Sequence, residues 1–143
     1  MPQEDYFKRQ VDQLAIALAK LLDRFLRLKS TGLLSNDIQN FNNDLKNEIG
    51  LDLNDFLNLP AESVAQNLKE KKLNDLHLDM LGEMLFQLAD FYEQSNESEK
   101  VKSVYDKLIL IYEQLASRDP IYSLERHFRI EKMKNYSPRT PDP

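Results

Sequence analysis

Apolar residues recur three or four positions apart along most of the chain, the spacing that places side chains on one face of an α-helix. The longest such pattern lies in residues 4–30, where two apolar rows run side by side. Because this face is wider than a two-stranded coiled coil requires, we expect it to contact two neighbours, both within the chain or one outside it. The rows are Phe7, Val11, Leu14, Leu18, Leu21, Phe25 and Leu28, and Ala15, Ala19, Leu22 and Leu26.

Two further amphipathic segments occupy residues 76–115 and are separated by a short polar turn at residues 94–98. A connection this short makes two helices antiparallel, so the pattern predicts a helical hairpin. Its apolar stripes are Leu78, Leu81, Leu85, Leu88 and Tyr92 in the first helix, and Val101, Val104, Leu108, Ile111 and Leu115 in the second.

Shorter helices are predicted in the rest of the chain. Asn36 and Gln39 have the spacing of a capping box and predict a helix over 36–49. A single helical turn is expected at 54–58, and Pro60 suits the first position of the next short helix. A last helix is expected after Asp119, with Pro120 at its first position. Ile121, Leu124 and Phe128 are expected on its apolar face, and Ile130 is a further candidate for that face.

The composition favours helices over strands. The chain has 143 residues but only three Gly, charged residues are abundant, and β-branched residues are few. We therefore predict an all-α fold, a compact bundle of five to seven helices, with residues 1–136 forming a single α-helical domain. Three of the last six residues are Pro, so residues 137–143 are expected to form a disordered tail.

Charge and residue usage narrow the function classes. The net charge of −5 argues against general nucleic-acid binding, and the absence of Cys excludes disulfides, thiolate metal ligands and cysteine nucleophiles. The apolar stretch 14–28 is interrupted by four charged residues and cannot cross a bilayer, and the first helix has a polar face of mixed sign. We expect a cytoplasmic protein with neither a nucleic-acid nor a membrane partner.

Chemistry-bearing residues are sparse. His77 lies between Asp75 and Asp79 but points away from the face that they share, so we interpret it as part of an exposed first helical turn. His127 and Glu131 offer only two metal ligands on a surface helix, and the three Gly are isolated from one another. We therefore predict no catalytic residue, no metal site and no cofactor.

The hairpin resembles one tetratricopeptide repeat. Four residues of its first helix and three of its second fall at that repeat's characteristic positions, although Asn96 stands where the repeat has Gly and no second copy follows at the period of about 34 residues. The resemblance implies a tetratricopeptide-like hairpin rather than an extended solenoid. The matching residues are Leu85, Leu88, Ala89 and Tyr92, and Val101, Tyr105 and Leu108.

The first helix resembles the start of an uncharacterised family of short bacterial proteins. That family begins with the pattern D-Y-x-x-R-Q-[IV]-x-Q-L, which residues 5–14 match, and Leu18, Ala19 and Lys20 continue the likeness. The resemblance implies a bacterial origin and an intracellular location, and it implies no activity.

The hairpin carries more apolar area than its own seam can bury, and so does the first helix. The first and last helices could cover that area, or a partner could. We therefore expect a non-catalytic protein-interaction or scaffold module that binds a protein partner or self-associates, for instance as a homodimer through the first helix. The alternative is a ligand-binding or enzymatic protein with a pocket between helices. The candidate interaction surface comprises Leu18, Leu22, Leu26, Met80, Met84, Phe86 and Phe91.

Overall fold

The computed structural model describes residues 2–32, 35–118 and 124–136, with side chains from Gln13 onward except at Ser35. This part of the chain contains helices and turns but no strand. The predicted all-α fold is confirmed. The predicted tail and the predicted helix start at Pro120 lie outside the described residues. In chain order the described helices are α1 (Pro2–Thr31), α2 (Ser35–Ile49), α3 (Leu53–Leu57), α4 (Ala61–Glu70), α5 (Asp75–Gln94), α6 (Ser98–Arg118) and α7 (Leu124–Lys134).

Helices α5 and α6 form the predicted hairpin, and all ten residues of its two predicted stripes are buried. The turn between them depends on Asn96, which has φ of 59°. Asn tolerates this left-handed conformation better than most residues, which explains how it replaces a turn Gly. The backbone N–H of Glu97 then donates to the carbonyl of Tyr92 at 3.0 Å and closes the turn.

Helix α1 packs against α5 on one side and α2 on the other, the two neighbours that its wide apolar face requires. Leu18, Leu21 and Phe25 are buried at this junction, and the Phe25 and Phe41 ring centroids lie 4.9 Å apart. Aromatic rings at that distance are in direct contact. Both neighbours of the buried row therefore come from within the chain.

The short helices α3 and α4 pack beneath α6 and differ from prediction at their caps. Asp52 caps α3 by accepting a hydrogen bond from the backbone N–H of Asp55 at 3.1 Å. Pro60 is the N-cap of α4 rather than its first residue, because its ψ of 147° is extended. Asn36 lies within the first turn of α2, which begins at Ser35, so the predicted cap at Asn36 is wrong by at least one residue.

The predicted apolar face of α7 is wrong at Leu124 and Phe128, whereas Ile130 packs against the core and Ile121 lies outside the described residues. Leu124 and Phe128 are 59 % and 62 % exposed, whereas Met133 is buried against α6. The inward face of α7 carries Arg126, Arg129 and Met133, which follow one another at helical spacing. The side of α7 that faces the bundle thus makes ion pairs with α5 and packs Met133 and Ile130 against the core, and it does not contain Leu124 and Phe128.

No helix in the described ranges is both long and apolar enough to span a membrane.

Gly82 lets the hairpin helices approach closely. A Cβ atom at this position would lie 2.8 Å from Cε1 of the buried Tyr112, closer than real Cβ contacts. We expect Gly82→Ala to lower the free energy of unfolding by about 1–2 kcal/mol, since overpacking outweighs the better helix propensity of Ala. Urea unfolding followed by circular dichroism measures the change.

A Tyr112→Leu background provides the control for this prediction. Without the ring, the same Gly82→Ala substitution should become neutral or stabilising by up to about 1 kcal/mol, because only helix propensity then changes. An equal cost in both backgrounds would contradict the role assigned to Tyr112.

Candidate interaction surface

Acidic residues form a row along α5, and each pairs with a cation from another helix. The first three acids of the row are four residues apart and the last follows seven residues later, so all four lie on one side of α5. Their cations come from α1, α6 and α7. Its charges are thereby neutralised within the chain. The pairs are Asp75 with Arg118 at 3.4 Å, Asp79 with Arg126 at 3.3 Å, Glu83 with Arg129, and Asp90 with Lys29.

Arg129 is the centre of this network. Its guanidinium donates to Glu83, to the Tyr112 hydroxyl at 3.0 Å and to Glu125 at 2.8 Å. The same group lies 4.3 Å from the centroid of the Phe86 ring, within the range of a cation–π contact. Only 16 % of the Arg129 side chain is exposed, so solvent screens these contacts less than it screens a surface pair.

The titration behaviour follows from this geometry. Burial raises the pKa of Glu83, but the hydrogen bonds from Arg129 and Gln87, together with the charges of Arg129 and Lys29, outweigh it and hold that pKa below its ordinary value of 4.5. Burial disfavours the Arg129 cation, yet the hydrogen bonds with Glu83 and Tyr112 raise its pKa above the ordinary value. Burial is the main reason that the pKa of Tyr112 is also raised. Glu83 therefore lacks the raised pKa that a carboxyl acid–base catalyst uses near neutral pH.

A cavity of about 250 Å³ lies beside this network, between α1, α5, α6 and α7. Carboxylates and guanidinium groups converge on it, and its three carboxylates, Asp79, Glu83 and Glu125, are all ion-paired. The described part of the chain holds no group of three or more His, Cys, Asp or Glu placed to bind a metal. The remaining lining consists of Leu22, Met80, Tyr112, Arg126 and Arg129.

An open groove of about 480 Å³ lies on the outer side of α7, and nearly all of its exposed lining is apolar. Phe86 of α5 forms its floor, and the exposed Leu124 and Phe128 form its α7 side. Nζ of Lys132 lies 5.5 Å from the Phe86 ring centroid. We call this surface the α7 groove, and define it by Phe86, Leu124, Glu125, Phe128, Arg129 and Lys132.

The predicted interaction surface is not continuous in the structure. Leu18 and Met84 are fully buried in the chain's own core, so their assignment to an interaction surface is wrong. Their rows lie where α1, α5 and α6 meet, and these helices already cover them. In addition, a homodimer through Leu18 and Leu21 would require the core to open.

The other candidates lie in several places. Leu22 and Met80 line the small cavity, Leu26 is 39 % exposed on α1, and Phe91 packs beside Tyr92 with ring centroids 5.7 Å apart. Of the seven candidates, only Phe86 lines the α7 groove.

Sequence reasoning missed Leu124 and Phe128 as surface residues. Arg126 and Arg129 are three residues apart and Asp79 and Glu83 are four apart, so each pair lies on one helix face about one turn apart. This complementarity of charge could have identified the inward face of α7. A hydrophobic pattern considered alone assigns the apolar side of a helix to the core.

The interpretation of His77 as exposed is also wrong, because its side chain is completely buried. The backbone N–H of Asn74 donates to its Nδ1 at 3.1 Å, and its own backbone N–H donates to Oδ1 of Asn74 at 2.9 Å. This reciprocal pair is a capping box in which His takes the usual place of Glu or Gln. His127 is half-buried, with its ring 6.0 Å from that of Phe128.

Comparison with known proteins gives no match, since no family model matches the sequence and no curated protein or solved structure is significantly similar to it. The resemblances to a tetratricopeptide repeat and to the bacterial family therefore stay predictions from sequence pattern.

The Glu83–Arg129 pair predicts a specific pH dependence. We expect Glu83→Gln to lower the free energy of unfolding at pH 7 by about 1–2 kcal/mol, because Arg129 loses its buried anionic partner. The folded-state pKa of Glu83 lies below 4.5, so its contribution is complete above that pH and is lost as the pH falls through the folded value. The difference between wild type and variant should therefore shrink towards zero on acidification.

Urea unfolding curves at several pH values between about 3 and 7 measure this difference. Glu48→Gln on the exposed side of α2 is the matched control and should change stability by less than about 0.5 kcal/mol throughout. A Glu83→Gln effect that stays constant down to pH 3 would contradict the assigned ion pair.

Proposed function

We propose that this chain is a non-catalytic protein-interaction module and that its contact surface is the α7 groove. The observation that carries the proposal is the outward orientation of Leu124 and Phe128 beside Phe86. Burying a Leu or Phe side chain stabilises a fold by about 1.5–3 kcal/mol. Because Leu124 and Phe128 are mostly exposed, α7 lacks most of that stabilisation at these two positions. Contiguous exposed apolar surface of this kind is typical of interaction sites.

The surroundings of the groove also suit binding. Aromatic residues and Arg are enriched at the energetic centres of protein interfaces, and here Phe86, Phe128 and Arg129 lie together. Arg129 is already fixed by Glu83 and Tyr112, and it lies against Phe86. A partner would therefore meet a largely preorganised surface, which reduces the entropic cost of binding.

The proposal includes the cytoplasmic location and the bacterial and tetratricopeptide-like character that the sequence predicts. The alternative is a ligand-binding or enzymatic protein. In the cavity between α1, α5, α6 and α7, where carboxylates converge, each carboxylate is already paired with Arg126 or Arg129. The volume of that cavity, about 250 Å³, also lies below the range of about 300–1,000 Å³ typical of ligand pockets.

Stability measurements test whether the groove is surface or core. We expect Phe128→Ala to change the free energy of unfolding by less than about 0.5 kcal/mol, because its ring is mostly exposed. Met133→Ala, five residues along the same helix, should cost about 2 kcal/mol or more, because Met133 is buried. Similar losses for the two variants would show that Phe128 belongs to the core and would remove the basis of the proposal.

In-cell photo-crosslinking tests the function itself. A benzophenone side chain placed at Phe128 should give discrete covalent protein adducts in the native host. The same group at Ala65, an exposed position on α4, is the matched control and should give none. Adding Leu124→Ser should abolish the adducts from position 128, since it removes half of the exposed apolar side of α7. Equal adducts from both positions, or none from either, would count against the groove as a binding surface.

A further inference from the structure

Helix α7 is attached to the hairpin mainly by charge. Among its described side chains only Met133 is buried, and Ile130 is partly buried against the core. Because segments with few buried apolar contacts open most readily in a native protein, we expect α7 to separate from the hairpin while α5 and α6 stay together. Three of its cations pair with carboxylates of the hairpin: Arg126 with Asp79 at 3.3 Å, Arg129 with Glu83, and Lys134 with Glu113 at 4.0 Å.

The side of the hairpin that α7 covers combines these carboxylates with aromatic side chains. The Tyr112 hydroxyl accepts a hydrogen bond from Arg129 at 3.0 Å. The Tyr105 ring meets the Tyr136 ring, just after α7, edge to face with centroids 5.3 Å apart. We call this side the hairpin surface and define it by Asp79, Glu83, Tyr105, Tyr112 and Glu113.

Helix α7 has the composition of a ligand for the hairpin surface. It carries four cations and two acids, and Arg126, Arg129 and Met133 lie three and four residues apart on its inward face. Amphipathic helices that bind in grooves present their anchoring residues at the same spacing. The hairpin surface thus holds a basic amphipathic helix in this structure, and that helix belongs to the same chain.

We propose that the hairpin surface is a helix-binding site, that α7 occupies it within the chain, and that a basic amphipathic helix of a partner protein replaces α7 there. The partner helix is specified by its chemistry, two cations one turn apart followed by an apolar residue one turn later. This inference goes beyond the proposed function. The α7 groove requires α7 to be docked and the hairpin surface requires it to be displaced, so one chain offers only one of the two surfaces at a time.

Charge decides the class of partner. Without α7, Asp79 and Glu83 lose their Arg partners and Glu113 loses Lys134. An acidic peptide or a nucleic acid would then meet like charge, which opposes binding. A small cation would neutralise the carboxylates but would leave Tyr105 and Tyr112 uncovered. A basic helix with an apolar anchor satisfies both requirements, as α7 does.

The tether gives α7 an advantage over any free helix. Only five residues separate α6 from α7, and a short tether corresponds to an effective concentration on the order of millimolar. A free helix with the same contacts as α7 should therefore bind poorly to the wild-type chain. It should bind well only where the contacts of the tethered helix are weakened.

A labelled peptide of residues 124–136 is the probe, and fluorescence anisotropy measures its binding to the full chain. Arg129→Glu places a carboxylate against Glu83 and should release α7 without changing the hairpin surface. The peptide should bind this variant at least tenfold more tightly than wild type. Lys132→Glu is the matched control, the same charge reversal on the same helix but outside the three ion pairs, and should bind the peptide as weakly as wild type.

Native-state hydrogen exchange reports the release of α7 directly. In Arg129→Glu the amides of α7 should lose at least tenfold of their protection, whereas those at the centre of α6 should keep theirs. Circular dichroism shows whether the hairpin remains folded. If it does not, Arg126→Glu replaces the variant, because the Arg126–Asp79 pair is more exposed and its loss is milder.

Four results would overturn the proposal. The first is a peptide that binds wild type as tightly as the released variant, and the second is a released variant that does not bind the peptide. The third is equal binding of a peptide that carries Arg126→Glu and Arg129→Glu. The fourth is a wild-type dimer in sedimentation velocity that Arg129→Glu dissociates, since α7 would then occupy the surface of a second copy. None of them depends on crosslinking from position 128, which tests the docked chain.

Discussion

Helix α5 is buried on two sides, against α1 and against α6, and the arrangement of the other elements follows from that constraint. The surface of α5 beside these neighbours carries the acidic row that ends at Asp90. Its less exposed members, Glu83 and Asp90, would lose part of their hydration without compensation if they were unpaired. Cations from α1, α6 and α7 meet the row instead. Because Arg126 and Arg129 face these acids, the opposite side of α7 with Leu124 and Phe128 faces solvent. The groove is therefore a consequence of how charge on α5 is satisfied.

Much of the fold could be predicted from the sequence, because its hydrophobic periodicity is strong where two helices share a long seam. The hairpin stripes are buried as expected, and α1 has the two neighbours that its wide face requires. Periodicity alone does not reveal which apolar rows the chain itself covers, and it therefore predicts a surface position for Leu18 and Met84 although both are buried. That distinction depends on contacts between helices far apart in sequence, such as α1 with α5.

The site was harder to predict, because its chemistry depends on pairing between elements. The sequence around His77 indicates neither a metal site nor a buried side chain. In the structure the side chain is buried and exchanges two hydrogen bonds with Asn74. Leu124 and Phe128 have the spacing of core residues, but electrostatic matching between α5 and α7 outweighs that spacing. Phe86 is the one residue of the predicted interaction surface that lines the α7 groove, and it lies on α5, where the sequence already indicates an excess of apolar area.

The same pairing connects the stability of α7 with the shape of the groove. Among its described side chains, only Met133 is buried, so ion pairs and the Arg129 contacts fix much of its position. Phe86 belongs to α5 and Phe128 to α7, which means that the groove exists only while the two helices are docked. Arg129 contacts Glu83 on one side and the Phe86 ring on another. The residue that docks α7 thus also forms part of the surface offered to a partner, and neither role can change without the other.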